Sequence, residues 1–298
     1  MHFIPPNDLV RLGDSPGGYT VIGAGKTSMD TCTWLLEQGV APDKIRWIRP
    51  RDGWVFDRAM MQPLDNVGSY MQLQARWVQA AAEAESGPDF AFRLEEHGVL
   101  QRIDRSVEPR MFRGAILSGG ELEVLGQIEN VVRNGKVRRI GTDGVHFEDG
   151  SVATNGSHVY VNCTAAGVRP TQARPVFEPG RITLQYVTIG IVPWSAATIG
   201  AAEALKDDDE QRNNLCPPVT FSGETAELLR LSHAGMSGIM ARTFDAELSA
   251  WSEASRLNPG RGVADHMDDP RVSEAIAAMG AHFGPAMANL EQRLGAAV

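Results

Sequence analysis

The apolar positions change period along the chain, and each change predicts an element. Tyr19–Ile22 is a short apolar and β-branched run between Gly18 and Gly23, which predicts a buried strand. From Lys26 to Gln38 the period lengthens. Met29, Cys32, Thr33, Leu35 and Leu36 fall on one face of a helix, and Gly39 stands where a helix ends. "KIRWIR", residues 44–49, predicts a second strand. Strand, glycine turn, helix and strand together form a βαβ unit. Ahead of it, residues 1–18 read as an extended arm and loop, punctuated by Pro5, Pro6, Pro16, Gly17 and Gly18.

Helical spacing returns from Asn66 to Glu96, broken at "SGPD", with Tyr70, Met71, Leu73, Trp77 and Val78 as core positions. Residues 111–161 are different. "RNGK", "TDG" and "EDG" separate short β-branched runs, and such turns predict hairpins. The reading is an antiparallel meander over Glu123–Val152 that feeds a buried strand, "HVYVNC". Farther on, "ITLQYVTI" is strand-like and "SAATIGAAEAL" helical. Two more helical stretches, 224–257 and 270–294, flank the loop "NPGRGVADHMDDP". The expected class is α/β, with one domain over 1–150 and a second over 151–298.

The 298 residues carry a formal net charge of -9, and the basic residues are scattered. Nucleic-acid and anionic-membrane partners are therefore not expected, since phosphate binding relies on clustered Lys and Arg. No apolar run is long enough to span a bilayer, and the first residues lack a basic segment followed by an apolar core. The expected location is the cytoplasm. Cys32, Cys163 and Cys216 are far apart without a Cys-x-x-Cys, so they read as buried thiols rather than a zinc or dithiol centre. The run "KDDDE" reads as a solvated loop because it lacks the alternating ligands and glycine of a calcium loop. Neither G-x-S-x-G nor H-E-x-x-H occurs. The histidines are dispersed, with His233 in an apolar helical stretch, and no catalytic residue can be assigned.

The candidate chemistry lies in "YTVIGAGKTSMD". Its "GKT" suggests a phosphate-binding P-loop, but that motif needs a glycine where Thr20 stands. The dinucleotide turn fits better. Gly23 permits the tight turn, Gly25 allows close approach of a pyrophosphate, and Ser28 takes the third small position of a loosened G-x-G-x-x-G. Lys26 and Thr27 open the helix whose N-terminus would face the phosphates. Asp30 supports that helix start. At the end of the second strand, Arg49 and Arg51 suit a 2′-phosphate, which favours NADP(H) over NAD(H). The alternative reading is that they are surface arginines. Trp54 could stack on adenine or pack in the core, and Arg58 could meet a phosphate or pair with Asp57.

These features, with "DGVHFEDGS", "VYVNCTAAG" and "SRLNPGRG", resemble the bacterial NAD(P)/FAD-dependent oxidoreductases, two-dinucleotide-domain flavoproteins that include flavin monooxygenases. The resemblance implies a Rossmann-like NAD(P) domain with a meander, followed by a remnant of a FAD-type domain and C-terminal helices. It also implies that Thr164, Ala165 and Gly167 mark the return of the chain towards the FAD domain. The first glycine motif of that family, the one for FAD, is missing, so NADP(H) is the expected cofactor and FAD a doubtful one. "HVYVNC" and "ITLQYVTI" would then lack sheet neighbours, to be supplied by a homodimer, a partner subunit or local repacking. The expected function is an NADPH-dependent oxidoreductase acting on a small molecule, or the NADPH-binding portion of one. The alternative is a non-redox enzyme, or a small-molecule-binding or interaction protein, on the same scaffold.

Overall fold

A computed structural model describes residues 1–12, 16–165, 167 and 172–295. The chain forms two compact units, Met1–Val55 with Arg102–Arg169 and Phe56–Gln101 with Pro170–Val298. The boundary expected at residue 150 therefore falls inside the first unit.

The first unit is built on a five-stranded sheet in which every neighbouring pair is parallel. Its order is His2–Ile4, His158–Asn162, Gly18–Ile22, Ile45–Ile48, Val131–Val132. Side chains alternate between its faces. Ile4, Val21, Ile45, Trp47, Val159 and Val161 share a core with Met29, Cys32 and Leu35 of the helix Lys26–Glu37 and with Leu125 and Ile128. The intervening positions Ile22, Ile48 and Tyr160 pack with Val145 and Phe147. Those two belong to an antiparallel sheet of Val137–Gly141, Gly144–Phe147 and Ser151–Val152. Burial on both faces explains why the central strands are mostly apolar, with Thr20 and His158 as buried polar exceptions.

Three expectations need correction in this unit. Residues 1–18 are not simply an extended arm: they contain the edge strand His2–Ile4 and a 3₁₀ turn, Pro6–Arg11, with Leu9 buried. That edge strand and Gly18–Ile22 flank His158–Asn162, so "HVYVNC" has neighbours on both sides. The open edge expected there, and the need for a partner to close it, both disappear. The meander also begins later than Glu123. Ser118 and Glu121 form a reciprocal capping box, and Gly119–Gly126 is a helix. Val131–Val132 then joins the parallel sheet through Trp47 and Ile48.

The second unit is mainly helical. Val67–Glu83 and Pro270–Gly295 share an apolar seam of Val67, Met71, Ala75, Val272 and Ala275. Gly87–Glu96, Val192–Leu205, Asp209–Leu215, Leu228–Thr243 and Ala246–Ala254 complete its α-helices. Among the described residues from 172 onward, the strands are the antiparallel hairpin Phe177–Glu178 and Arg181–Ile182. "ITLQYVTI" thus contributes only its first residue to a strand, and no parallel FAD-type sheet stands in this stretch. Among the described residues, no helix is long and apolar enough to cross a membrane.

Candidate functional site

Three strands end level with one another: Asn162, Ile22 and Ile48 are in register. The chain leaving Gly18–Ile22 runs through helix Lys26–Glu37 to the strand on one side, while His158–Asn162 lies on the other. Ligands of open parallel sheets bind in the crevice at such a reversal of strand order.

The glycine turn sits on this edge, and its glycines do different work. Gly23 has φ of 141°, and a Cβ there would lie 2.5 Å from the Cys163 carbonyl oxygen. Its N–H donates to the Ile48 carbonyl at 2.9 Å, and its own carbonyl accepts from Trp47 Nε1 at 2.9 Å. Both bonds fasten the turn to the neighbouring strand Ile45–Ile48. Gly25, at the helix N-cap, has φ of -92° and no atom within 4 Å of a notional Cβ. No side chain caps this helix start. Its first N–H groups have no intrahelical acceptor, and with the helix dipole they favour an anion. Buried Ser28 donates to the Gly25 carbonyl at 2.7 Å and holds the turn from beneath. Thr27 is exposed.

Lys26 does not point free into this space. Its ammonium donates to Asp30 and, at 3.2 Å, to Glu121 Oε1. Thr20 lies within the strand, fully buried, and its hydroxyl meets His158 Nδ1 at 3.1 Å. The P-loop reading has no structural basis. Thr164, Ala165 and Gly167 are exposed just past His158–Asn162. The Asn162 carboxamide oxygen accepts from the Thr164 amide and hydroxyl at 3.1 and 2.6 Å and fixes the turn. Gly23, Gly25 and Thr164 thus come to one edge of the sheet.

The strand-end arginines are not alike. Arg49 has a side chain only 2% exposed, lies over the Trp47 ring and pairs with Asp52 at 2.7 Å. Burial lowers its pKa, while Asp52 opposes that shift. Arg49 is therefore not the surface 2′-phosphate ligand expected from its position. Arg51 is partly exposed in the same loop. Trp54 is buried, which removes the adenine-stacking role and leaves packing. Asp57 caps a 3₁₀ turn through the Ala59 amide, and it falls with Arg58 in the second unit.

Sequence reasoning missed the rest of this cluster. Arg133 Nε donates to Asp52 Oδ2 at 2.9 Å, and its terminal nitrogen reaches Asp104 Oδ2 at 2.7 Å. These partners are 81 and 29 residues apart in sequence, so no local pattern marks them. Hydrogen bonds from Ser106 and the nearby Arg133 hold the Asp104 carboxyl below the usual carboxylate range.

The remaining candidates are structural. All three cysteines are buried, and burial raises the Cys32 and Cys163 thiols and pushes Cys216 up to about 11. His233 approaches Glu291 at 3.8 Å. In "KDDDE", Asp208 caps the following helix and Lys206 bridges to Asp245 and Glu247, so the run is more ordered than a solvated loop. Among the described residues, no cluster of three or more His, Cys, Asp or Glu could hold a metal. The acidity of the chain also divides unevenly. The first unit has 15 basic against 14 acidic residues, and the second 13 against 23. The net negative charge therefore does not sit in the unit that carries the glycine turn.

An α/β unit with a glycine turn at a strand-order reversal is the class this geometry defines. Curated proteins of Mycobacterium tuberculosis and Mycobacterium bovis, all described as uncharacterized, are 38% identical to the chain over 278 residues. The match covers 93% of this chain and 52% of each relative, so the chain spans about half the length of the curated relatives it matches. No protein-family profile and no solved structure matches.

Proposed function

We propose that the first unit is a Rossmann-like dinucleotide-binding module and serves as the pyridine-nucleotide portion of an oxidoreductase. The observation that carries this reading is the contrast between the two glycines. Gly23 is needed by the fold, because a side chain there meets the neighbouring strand. Gly25 is needed by nothing in the chain itself, yet it leaves open space at an uncapped helix start. A pyrophosphate uses such space, with backbone N–H groups as donors. Thr164 follows the strand His158–Asn162 on the other side of the turn, where in this reading the nicotinamide end of an extended dinucleotide would lie.

A bound nicotinamide supplies hydride transfer, and the protein's part is to orient it and to exclude competing reactions. The chain offers anchoring: a fastened turn, a polar helix start and the ordered Asn162–Thr164 turn. The electron acceptor belongs elsewhere in this reading. The unmatched half of the longer relatives leaves room for a flavin-type domain, and a separate polypeptide could supply the same part.

Titration of the protein with NADH and NADPH, followed by nicotinamide fluorescence, tests the proposal. Binding of either is expected. Gly25→Ala should weaken it by about tenfold, ~1.4 kcal/mol, while the thermal midpoint moves little. If neither nucleotide binds, the dinucleotide reading is wrong.

A further inference from the structure

The 2′ position of the adenosine ribose is where NAD(H) and NADP(H) differ, and in a dinucleotide site it faces the end of the second strand. In this fold, which rests on the dinucleotide reading above, that end is Ile48. Ile48 pairs with Val132, so Arg49 and Arg133 leave the sheet side by side. The Arg49 amide donates to the Val132 carbonyl at 2.9 Å, which holds the two strand ends together.

Both guanidinium groups are already taken. Asp52 Oδ1 pairs with Arg49 at 2.7 Å, and Asp52 also meets Arg133 through two hydrogen bonds of 2.9 and 3.3 Å. Asp104 adds a third at 2.7 Å. Two arginines and two aspartates form a compact cluster of zero net charge. Arg49 and Asp52 are its buried members, while Arg133 and Asp104 are about one third exposed and face outward. A ligand reaching this end of the strand therefore meets Asp104 together with an arginine that is already neutralised.

We propose that Asp52 and Asp104 are specificity-determining residues that make the site select NAD(H) and reject NADP(H). A 2′-phosphate brings nearly two negative charges against the Asp104 carboxylate and must compete with both aspartates for Arg133. A 2′-hydroxyl is neutral and can donate to a carboxylate. Asp52 is the positioning residue: it fixes Arg133 beside Arg49, and its own charge cancels the buried guanidinium. Arg51, Arg102 and Arg105 are the nearby arginines in sequence that could oppose this effect. The guanidinium of Arg102 lies over the Trp54 ring and donates to the Arg105 carbonyl.

Affinities for NADH and NADPH should be measured on the wild-type chain, Asp104→Asn and Asp52→Asn at one low ionic strength. Wild type is expected to bind NADH about tenfold more tightly or better. Asp104→Asn should shift the NADH-to-NADPH ratio at least about tenfold towards NADPH, with Asp52→Asn moving it the same way. If wild type prefers NADPH, or if Asp104→Asn leaves the ratio unchanged, the proposal is overturned while dinucleotide binding itself stands. Failure of wild type to bind either nucleotide overturns both. Asp52→Asn strips a buried arginine of its counter-charge and can unfold the unit. If neither variant folds, the wild-type ratio alone decides.

Discussion

A single methyl group separates fold from function at the glycine turn. Gly23→Ala must place a side chain at φ of 141° and 2.5 Å from the Cys163 carbonyl oxygen. We expect a loss of ~3 kcal/mol or more, read from the urea midpoint. Gly25→Ala meets open space, and its cost should stay within the ~1 kcal/mol that alanine brings to an N-cap. Equal destabilisation by the two changes would contradict the division of roles. The thiols give a second residue-scale test. Cys32, Cys163 and Cys216 are buried with raised pKa values. Ellman's reagent should therefore titrate them quickly only after denaturation; rapid reaction of the native protein at neutral pH would contradict this burial.

Elements are held by polar groups from distant parts of the chain as well as by apolar faces. The last carbonyls of helix Val67–Glu83 have no acceptor role left inside the helix. Asn289, on helix Pro270–Gly295, donates to the Ala81 and Ala84 carbonyls at 3.0 and 2.8 Å. Asn289→Ala should cost ~1–2 kcal/mol in chemical denaturation, because the carbonyls of two buried residues lose their partner together. An unchanged midpoint would show that water replaces the amide fully. The helix Gly119–Gly126 teaches the converse. Its start is legible in "SGGE", where the Ser118 and Glu121 side chains each accept from the other residue's backbone N–H.

At the scale of the whole molecule, stability should depend on pH through a histidine inside the parallel sheet. His158 is 9% exposed, hydrogen-bonded to Thr20, and its pKa is lowered by burial and then by Arg46 and Lys44. The unfolded chain binds this proton more readily than the folded one. The contribution is thus fully present above the ordinary value of ~6.5 and is lost as pH falls through the lowered folded value. Urea unfolding at pH 7.5 and 5.5 should show a larger loss for wild type than for His158→Gln. Parallel pH slopes would remove His158 as the cause.

Much of the parallel unit was legible because period and punctuation are local properties. The apolar run Tyr19–Ile22, the helical spacing to Gln38 and Gly39 needed no tertiary information. The position of the glycine turn was legible for the same reason, since it follows from the strand before it and the helix after it. Tertiary structure alone decided what lies beside what. It placed His2–Ile4 against "HVYVNC", which closed an edge that had looked open. It joined Asp52 to Arg133 across 81 residues, which turned Arg49 from a surface cation into a buried, neutralised one. Local pattern records the geometry a segment prefers, whereas charge and exposure depend on neighbours brought together only when the chain folds.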